Sequence, residues 1–254
     1  MIEELIVRLV PTTIGDRDPI GRCVIMADIL RASTTMISSL SNGVRAIYPK
    51  AEIEDSFLLS KQLGPDSLLG GERGGKIVDG FDCGNSPNEY TAERVRNRVL
   101  ILCTTNGTFT LELCRGAERI LIGAFVNLEA ICNELLQSRS AMIACAGTNR
   151  MVTDEDVLFA GAVIDRLKNQ NSGLKLDDAG KLAWGRWREV SEQMKSGTPF
   201  WHILAESHGG RNLMRLQCEG DIRFCANIDS HSVVPELDPE SWIIESQAES
   251  ATVD

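Results

Sequence analysis

The sequence predicts an α/β fold with a largely parallel or mixed sheet flanked by helices. Short β-branched runs alternate with helical patterns through the first two thirds of the chain, as in strands joined by crossover helices. The 254 residues are 43% hydrophobic and 24% charged, so the chain has enough apolar side chains for a sizeable core. We expect one domain over residues 1–246, or two lobes at about 1–125 and 126–246, and a polar tail at 247–254.

Strand and helix patterns alternate in order along this part of the chain. The apolar and β-branched runs that predict strands lie at residues 4–10, 22–28, 44–48, 67–70, 98–103, 119–123 and 141–146. The intervening segments that predict helices lie at residues 31–43, 51–64, 88–97, 107–117 and 127–138. Each connection is long enough for a crossover, so the strands on either side of it can run parallel.

The sequence pattern changes after residue 147. A helix is predicted over residues 153–169, where Thr153 can cap the first turn and Asp156 stands at the third position of a capping box. The remaining predicted elements are a charged helix at about 174–196, a His-bearing and Gly-broken segment at 201–216, and two short strands at 221–229 and 241–246.

Charge and hydropathy exclude several classes of partner. Lys and Arg total 26 against 36 Asp and Glu, which gives a net charge of −10, so nucleic acid and anionic membrane surfaces are poor partners. No apolar run approaches the roughly 20 residues that cross a bilayer, and the first residues lack a basic segment with a cleavage site. The eight cysteines form no Cys-x-x-Cys pair, which disfavours a disulfide framework or a zinc knuckle. We therefore expect a cytoplasmic protein.

The first candidate site follows the predicted strand at 22–28, in the segment DILRASTT. Asp28 stands at the strand end, Arg31 follows it, and Ser33 and Thr34 lie in the next turn. Ligands bind at this edge of open α/β sheets; a carboxylate suits Mg²⁺, and Arg and hydroxyl groups suit a phosphate or sulfonate. The alternative is that Asp28 and Ser33 only cap a helix while Arg31 pairs with a surface carboxylate.

The second candidate is the Gly-rich segment that begins after the predicted strand at 67–70. Its glycines let the backbone approach a ligand closely, and they are interspersed with the polar residues Glu72, Arg73, Asp79, Asp82 and Asn85. A plain linker would not need this mixture, and the apolar residues among them favour an ordered loop. The spacing fits neither a Walker loop nor a dinucleotide-binding motif.

Two further segments place polar residues after predicted strands. Thr105 and Asn106 follow the strand at 98–103 and open a helix, where they offer donors to an anion, although an Asn-Gly turn explains them as well. Acidic residues at 154–156 fill the first turn of a helix, and the helix dipole favours them there without any catalytic task. One or two of them could also hold a metal ion.

Other catalytic patterns are absent from the sequence. His202 and His208 lack the arrangement of a zinc protease, and no Gly-x-Ser-x-Gly elbow of a serine hydrolase occurs. Arg211, Asp221 and Asp229 flank the predicted late strand and could reach a site from the second lobe. Each is more often a solvated charge than a ligand.

The motifs DILRASTT, GGERGGKIVDGFDCGNSPNEY, TTNGT, CAG and EDVLFAG, in this order and spacing, resemble the 2-phosphosulfolactate phosphatase family. The resemblance runs from about residue 22 to 162, with weaker similarity to about 235. It implies an α/β fold of its own kind and a Mg²⁺-dependent phosphatase that hydrolyses 2-phospho-3-sulfolactate to sulfolactate and phosphate. That reaction is a step in the synthesis of coenzyme M.

The resemblance also locates the chemistry. It implies a metal ion near Asp28 and Glu72, with Asp82 as a further ligand or base. The residues that we infer to act on the phosphoryl group are Asp28, Arg31, Arg73 and Asp82. The residues expected to bind substrate through neutral donors or the backbone are Ser33, Thr34, Gly74, Asn85, Ser86, Thr105 and Asn106.

Several alternatives remain open at this stage. Asp28 either attacks phosphorus or binds metal while water attacks; we favour water because the Asp-x-Asp-x-Thr pattern of aspartyl-phosphate enzymes is missing. Cys83 is a lesser candidate nucleophile. The substrate could be another phosphorylated hydroxy acid, and the chain could bind anions without catalysis. A homodimer is also a possible assembly.

Overall fold

The computed structural model describes residues 2–246, and the predicted tail at 247–254 lies outside the described residues. The apolar β-branched runs of the first two thirds form strands as predicted. Their side chains either alternate between core and solvent or are buried throughout, so each strand can pack on a core. The strands are β1 (Glu4–Arg8), β2 (Cys23–Ala27), β3 (Ala46–Lys50), β4 (Ser67–Arg73), β5 (Lys76–Ile77), β6 (Val99–Cys103), β7 (Arg119–Ile122), β8 (Ser140–Cys145), β9 (Lys175–Leu176), β10 (Pro235–Asp238) and β11 (Ile243–Ser246).

The helices occupy the predicted connections between the strands and most of the chain after β8. The longest helices, at 154–170 and 178–195, each bury apolar side chains, as their helical pattern predicts. They are α1 (Ala32–Ser41), α2 (Ile53–Leu63), α3 (Ala92–Val95), α4 (Gly107–Leu113), α5 (Leu128–Leu135), α6 (Asp154–Gln170), α7 (Asp178–Lys195), α8 (Phe200–Glu206), α9 (His208–Arg215) and α10 (Glu219–Cys225). The fold class is therefore α/β, as predicted.

The strands form one mixed sheet in the order β5-β4-β6-β3-β11-β10-β7-β2-β8-β1-β9. One parallel group contains β7, β2, β8, β1 and β9, and a second contains β3, β6 and β4. The hairpin of β10 and β11 joins the groups through antiparallel pairings to β7 and β3. The two groups therefore run in opposite directions along the sheet.

Helix α1 packs between the two parallel groups. The apolar side chains Met36 and Leu40 of α1 share one cluster with Val24 of β2 and Leu100 of β6. A separate cluster joins β1, β2 and β8 to α5, α6 and α7. Although the two groups run in opposite directions, Gly107, which follows β6, lies beside Asp28, which follows β2, and beside Ala32 at the start of this helix.

The structure corrects the sequence prediction at three points. Residues 221–229 form no strand, and the helix Glu219–Cys225 occupies this region, with the strand Pro235–Asp238 after it. The short strand Lys175–Leu176 stands where the predicted charged helix was to begin. The capping box is also wrong, because Thr153 makes no side-chain cap hydrogen bond. Asp156 instead accepts hydrogen bonds from distant backbone groups.

Within residues 2–246, no helix is long and apolar enough to cross a membrane. The sheet is continuous through the hairpin of β10 and β11. The division into one domain over 1–246 or two lobes at about 1–125 and 126–246 stays a prediction.

Candidate active site

Asp28 follows β2 directly and is 8% exposed. Its Oδ1 accepts a hydrogen bond of 3.2 Å from the Ala32 N–H at the start of α1. Its backbone N–H donates to Ser33 Oγ at 2.9 Å, and the Ser33 N–H donates to its carbonyl oxygen at 2.9 Å. These bonds fix the turn between β2 and α1, so the carboxylate has a defined position.

Glu72 lies near the end of β4, where the chain turns into β5. Its Oε1 accepts hydrogen bonds from the N–H and hydroxyl groups of Thr105, at 3.1 and 3.0 Å, and its Oε2 accepts one of 2.7 Å from the Gly75 N–H. Gly74 and Gly75 have φ of 62° and 81°, which is the backbone of a two-residue hairpin that glycine allows. The carboxylate is thus held rigidly between two strand ends.

Gly107 brings the two strand groups together. A β-carbon at this position would lie 3.3 Å from Asp28 Oδ2 and 3.2 Å from the β-carbon of Ala32. Only a glycine lets the start of α4 approach the Asp28 carboxylate without displacing it. The segments that follow β2 and β6 therefore meet at this point, although these strands belong to opposite groups of the sheet.

Buried carboxylates concentrate around Asp28. Burial is the main cause that raises the pKa of Asp28 to about 7; the Ala32 N–H lowers this pKa, whereas Glu72 and Glu155 raise it. Burial also raises the pKa of Glu155 and, well above its usual value, the pKa of Asp156. Asp156 accepts hydrogen bonds from the N–H groups of Ile29 and Gly147, at 2.9 and 2.8 Å. These carboxylates therefore give up their protons less readily than exposed carboxylates do.

Buried side-chain oxygens near this cluster lack a hydrogen-bond partner in the described residues. They are Asn85 Oδ1, Glu155 Oε2 and Thr104 Oγ1. A buried oxygen without a partner is costly, and its cost disappears when a cation or a donor binds it. Carboxylate and amide oxygens are the ligands that Mg²⁺ prefers.

Arg31 is buried and already paired. One guanidinium nitrogen lies 2.6 Å from Asp221 Oδ2, and the other donates to the Gly75 carbonyl at 3.0 Å. Asp221 also accepts hydrogen bonds from Ser86 Oγ at 2.5 Å and from Asn88 Nδ2 at 3.0 Å. Arg31 therefore connects α10 to the turn that holds Glu72, and its charge is compensated within the protein.

A cavity of about 380 Å³ contains these groups, a size typical of small-molecule sites. Helix α9 forms one wall of it. Of the residues predicted for the site, those that line the cavity are Asp28, Arg31, Glu72, Gly74, Asn85, Thr105 and Asn106. The lining residues that the sequence analysis did not single out are Leu30, Gly75, Thr148, Asn149, Gly209, Asn212, Leu213, Arg215 and Leu216.

Five other predicted site residues do not line this cavity. Asp82 is exposed, and its carboxylate accepts the Leu69 N–H at 2.8 Å. Ser33 and Thr34 hydrogen-bond to the turn after β2, since Thr34 donates to the Ile29 carbonyl at 3.0 Å. The hydroxyl of Ser86 donates a hydrogen bond to the buried carboxylate of Asp221.

Arg73 points away from Glu72, as alternation along a strand requires. It donates to the carbonyls of Glu72 and Ala51 and lies 3.2 Å from Cys103 Sγ. It lines a second cavity of about 560 Å³, which shares Thr105 and Asn106 with the first. We therefore correct the expectation that Arg73 and Asp82 lie beside the carboxylates.

Cys83 is fully buried, although its sequence neighbours are polar. Burial raises the pKa of its thiol to about 11, so it stays protonated near neutral pH. Its surroundings give it the character of a small hydrophobic residue rather than of a nucleophile.

The fold and the cavity together define a class of protein. It is an α/β protein with a cavity where the segments that follow β2, β4 and β6 meet, lined by the carboxylates of Asp28 and Glu72 and by Arg31 and Arg215. The C-terminal ends of strands are where α/β enzymes bind small ligands. The chain belongs to the 2-phosphosulpholactate phosphatase family, whose sequence model matches residues 9–240. The family resemblance found in the sequence is thereby confirmed.

Curated relatives cover most of the chain. A probable 2-phosphosulfolactate phosphatase of Caldanaerobacter subterraneus subsp. tengcongensis is 33% identical over 227 residues, which are 89% of this chain and 91% of that protein. A relative with the same name in Carboxydothermus hydrogenoformans is 36% identical over 89% of this chain and 91% of that protein. Another, in Synechococcus sp. RCC307, is 37% identical over 83% of this chain and 87% of that protein.

Proposed function

We propose that this chain is a Mg²⁺-dependent phosphatase that hydrolyses 2-phospho-3-sulfolactate to 3-sulfolactate and phosphate. The names of the family and of its relatives support this substrate. One observation in the structure carries the proposal: the buried carboxylates of Asp28 and Glu72 line one cavity, and the buried cation beside them, Arg31, is paired with Asp221. Such a pair of carboxylates suits the metal ion of a metal-dependent phosphatase.

The donor set fits Mg²⁺. We propose that Asp28 and Glu72 hold the ion and that Asn85, which lines the same cavity and whose buried Oδ1 has no partner, contributes to it. No group of three or more His, Cys, Asp or Glu side chains within residues 2–246 is arranged to hold a metal ion. The proposed site therefore has two carboxylates, a number that Mg²⁺ commonly uses while water and substrate phosphate fill its other positions. When bound, Mg²⁺ would offset the charge that develops on the phosphoryl oxygens.

The residues of the chain orient the substrate around this ion. Thr105 and Gly75 hold the Glu72 carboxylate through their donors, so it does not need to reorganise during the reaction. The Asn106 side-chain oxygen accepts the Asn149 N–H at 3.2 Å, which leaves its amide nitrogen to donate into the cavity. We propose that Asn106 and the backbone around Gly74 bind phosphoryl oxygens.

An assay of phosphate release tests the proposed function. We expect release from 2-phosphosulfolactate with Mg²⁺ and none with a chelator, and slower release from 2-phospholactate, which lacks the sulfonate. Faster release from 2-phospholactate would indicate that another phosphorylated hydroxy acid is the substrate. No release from any phosphoester in a panel would contradict the phosphatase and favour a non-catalytic anion-binding protein.

Acid quench distinguishes the two nucleophiles. We propose that water attacks phosphorus, because the sequence after Asp28 lacks the second acidic residue of aspartyl-phosphate enzymes. In a single turnover, no acid-stable phosphoenzyme should accumulate. A burst of phosphoenzyme that disappears in Asp28→Asn would show that Asp28 is the nucleophile instead.

The cytoplasmic location, the homodimer, the absence of nucleic-acid partners and a role in coenzyme M synthesis stay predictions.

A further inference from the structure

We propose that Arg215 binds the second acidic group of the substrate, a sulfonate or carboxylate next to the phosphate, and that it thereby sets substrate specificity. This inference rests on the proposed function and deepens it. It starts from the two arginines that line the first cavity, Arg31 and Arg215, which have opposite environments.

Arg31 is unsuited to bind a second anion. It is 5% exposed, and its guanidinium group is engaged by Asp221 and by the Gly75 carbonyl at 2.6 and 3.0 Å. A substrate anion would have to compete with a buried carboxylate for the same donors. Separation of such a buried pair is strongly unfavourable, so Arg31 acts as a structural cation.

Arg215 has the opposite character. It lies in the last turn of α9, it is exposed, and it makes no ion pair within the described part of the chain. Its one side-chain hydrogen bond, of 3.2 Å, goes to the neutral Asn212 Oδ1. Its charge is therefore free to pair with an anion, and a guanidinium group can bind a carboxylate or sulfonate through two parallel bonds.

Packing brings the end of α9 close to the turn that holds Glu72, one of the two carboxylates proposed to bind Mg²⁺. A β-carbon at Gly75 would lie only 2.6 Å from Leu216 Cδ1, so the residue after Arg215 contacts the turn that follows β4. The same turn donates its N–H to Glu72 at 2.7 Å. Arg215 thus projects from a segment in contact with the Glu72 turn.

The cavity combines carboxylates, a free guanidinium group and apolar side chains. Asp28 and Glu72 line it from the strand ends, Arg215 lines it from α9, and Leu30, Leu213 and Leu216 complete the lining. A short carbon chain with a phosphate and a second acidic group matches this combination. A phosphoester without the second group would leave Arg215 unused.

A comparison of substrates tests the role of Arg215. We expect Arg215→Ala to lower kcat/KM for 2-phosphosulfolactate by about 10- to 100-fold, mainly through KM, because it loses charge-assisted bonds. Hydrolysis of glycerol 2-phosphate, which has hydroxyl groups in place of both acidic groups, should change less than about 2-fold. Arg215→Lys should lower kcat/KM for 2-phosphosulfolactate less than Arg215→Ala does, and Arg215→Glu should lower it more. The loss measured with 2-phospholactate shows whether Arg215 contacts the carboxylate or the sulfonate.

Arg211→Ala is the matched control, because Arg211 is also exposed on α9 but does not line the cavity. It should keep wild-type kinetics. Calorimetry of 3-sulfolactate binding without Mg²⁺ gives a readout that does not depend on catalysis, and Arg215→Ala should weaken this binding at least 10-fold.

Two results would overturn the inference. Equal losses with 2-phosphosulfolactate and glycerol 2-phosphate would mean that Arg215 serves the phosphoryl group or the helix, and unchanged kinetics and binding would mean that it contacts no substrate. If the wild-type protein releases no phosphate from either ester, the proposed function fails, while 3-sulfolactate binding by wild type and Arg215→Ala still decides the role of Arg215.

Discussion

The burial of the Asp28 carboxylate has opposite effects on function and on stability. Its carboxylate is buried beside Glu72 and Glu155, and its pKa is raised to about 7, mainly by burial. Without a bound cation, ionisation of this group at neutral pH costs free energy in the folded protein. The same burial favours the binding of a divalent ion by this carboxylate. A substitution that removes the charge should therefore lower activity and raise stability.

We therefore expect Asp28→Asn to lower kcat/KM by about 100-fold or more while raising the melting temperature of the metal-free protein at pH 8. The asparagine oxygen can still accept the Ala32 N–H, so the turn keeps its hydrogen bond. Kinetics and thermal unfolding in the presence of a chelator measure the two effects.

Asp79→Asn is the matched control for Asp28→Asn. Asp79 is exposed in the same Gly-rich segment and does not line the first cavity, so its substitution should leave both measurements near wild type. If Asp28→Asn kept full activity, or if it destabilised the metal-free protein at pH 8, the position of Asp28 at the centre of a buried acidic cluster would be wrong.

Single residues show how far sequence analysis reaches into the site. Asp28, Glu72 and Thr105 were recognisable because each lies at a strand end, among small and polar residues. The predicted strand ended at residue 70, so the alternation that turns Glu72 and Arg73 to opposite sides became visible only in the longer strand β4. The partner of Arg31 was not predictable, since Asp221 lies 190 residues away and only tertiary packing brings it there.

Helix α10 is tied to the site by one buried carboxylate. Asp221, 4% exposed, accepts hydrogen bonds from Arg31, Ser86 and Asn88, and these donors come from two separate loops. A buried ion pair of this kind contributes little net stability when intact, but the loss of one partner leaves the other charge buried and unpaired.

Asp221→Ala should lower the free energy of unfolding by about 3 kcal/mol or more, as is typical for one partner of a buried ion pair. Urea unfolding measures this change. Ser86 and Asn88 lose an acceptor in the same variant, which adds to the effect.

Glu219→Gln provides the comparison on the same helix. Glu219 and Arg223 form an exposed pair, 2.8 Å apart, with side chains that are 46% and 51% exposed. Its loss should cost less than about 1 kcal/mol, because solvent screens the pair. If both variants lowered the free energy of unfolding by similar amounts, the proposed role of Asp221 in holding α10 against the loops would be wrong.

Two elements show why the late part of the chain was harder to predict. The apolar residues of 221–229 suggested a strand, yet the buried residues Asp221, Ile222 and Cys225 have the spacing of one helical face. The strand Pro235–Asp238 has no β-branched residue and begins with proline, which is tolerated at the first position of a strand. Pairing with β7 and β11 overrides its weak propensity.

At the scale of the molecule, the net charge of −10 does not give the charge of the cavity, whose lining includes two carboxylates and two arginines. Net charge alone argued only against nucleic acid and membranes, because it does not say where the carboxylates lie. The fold places Asp28, Glu155 and Asp156 together at the ends of β2 and the start of α6, all of them buried. Mg²⁺ binding should therefore affect the stability of the whole protein.

The sign of the pH dependence follows from the raised pKa values. The pKa of Asp28 is about 7 in the folded protein against 3.8 as its ordinary value, so between these values the folded state keeps a proton that the unfolded state has lost. Stability that this group contributes is complete below pH 4 and falls as the pH rises towards 7, by about 1.4 kcal/mol per pH unit. Glu155 and Asp156, whose pKa values are also raised, add to this fall.

We therefore expect the metal-free protein to lose stability from pH 5 to pH 7.5, and Mg²⁺ to restore most of it at pH 7.5 but little at pH 5, where a proton occupies the Asp28 carboxylate. Thermal unfolding across this range, with chelator and with Mg²⁺, measures both effects. Asp28→Asn should flatten the metal-free profile and weaken the response to Mg²⁺, because it removes one titrating ligand. A metal-free profile that rises with pH would show that cations of the chain already compensate the cluster, and the Mg²⁺ site at Asp28 would then lose its physical basis.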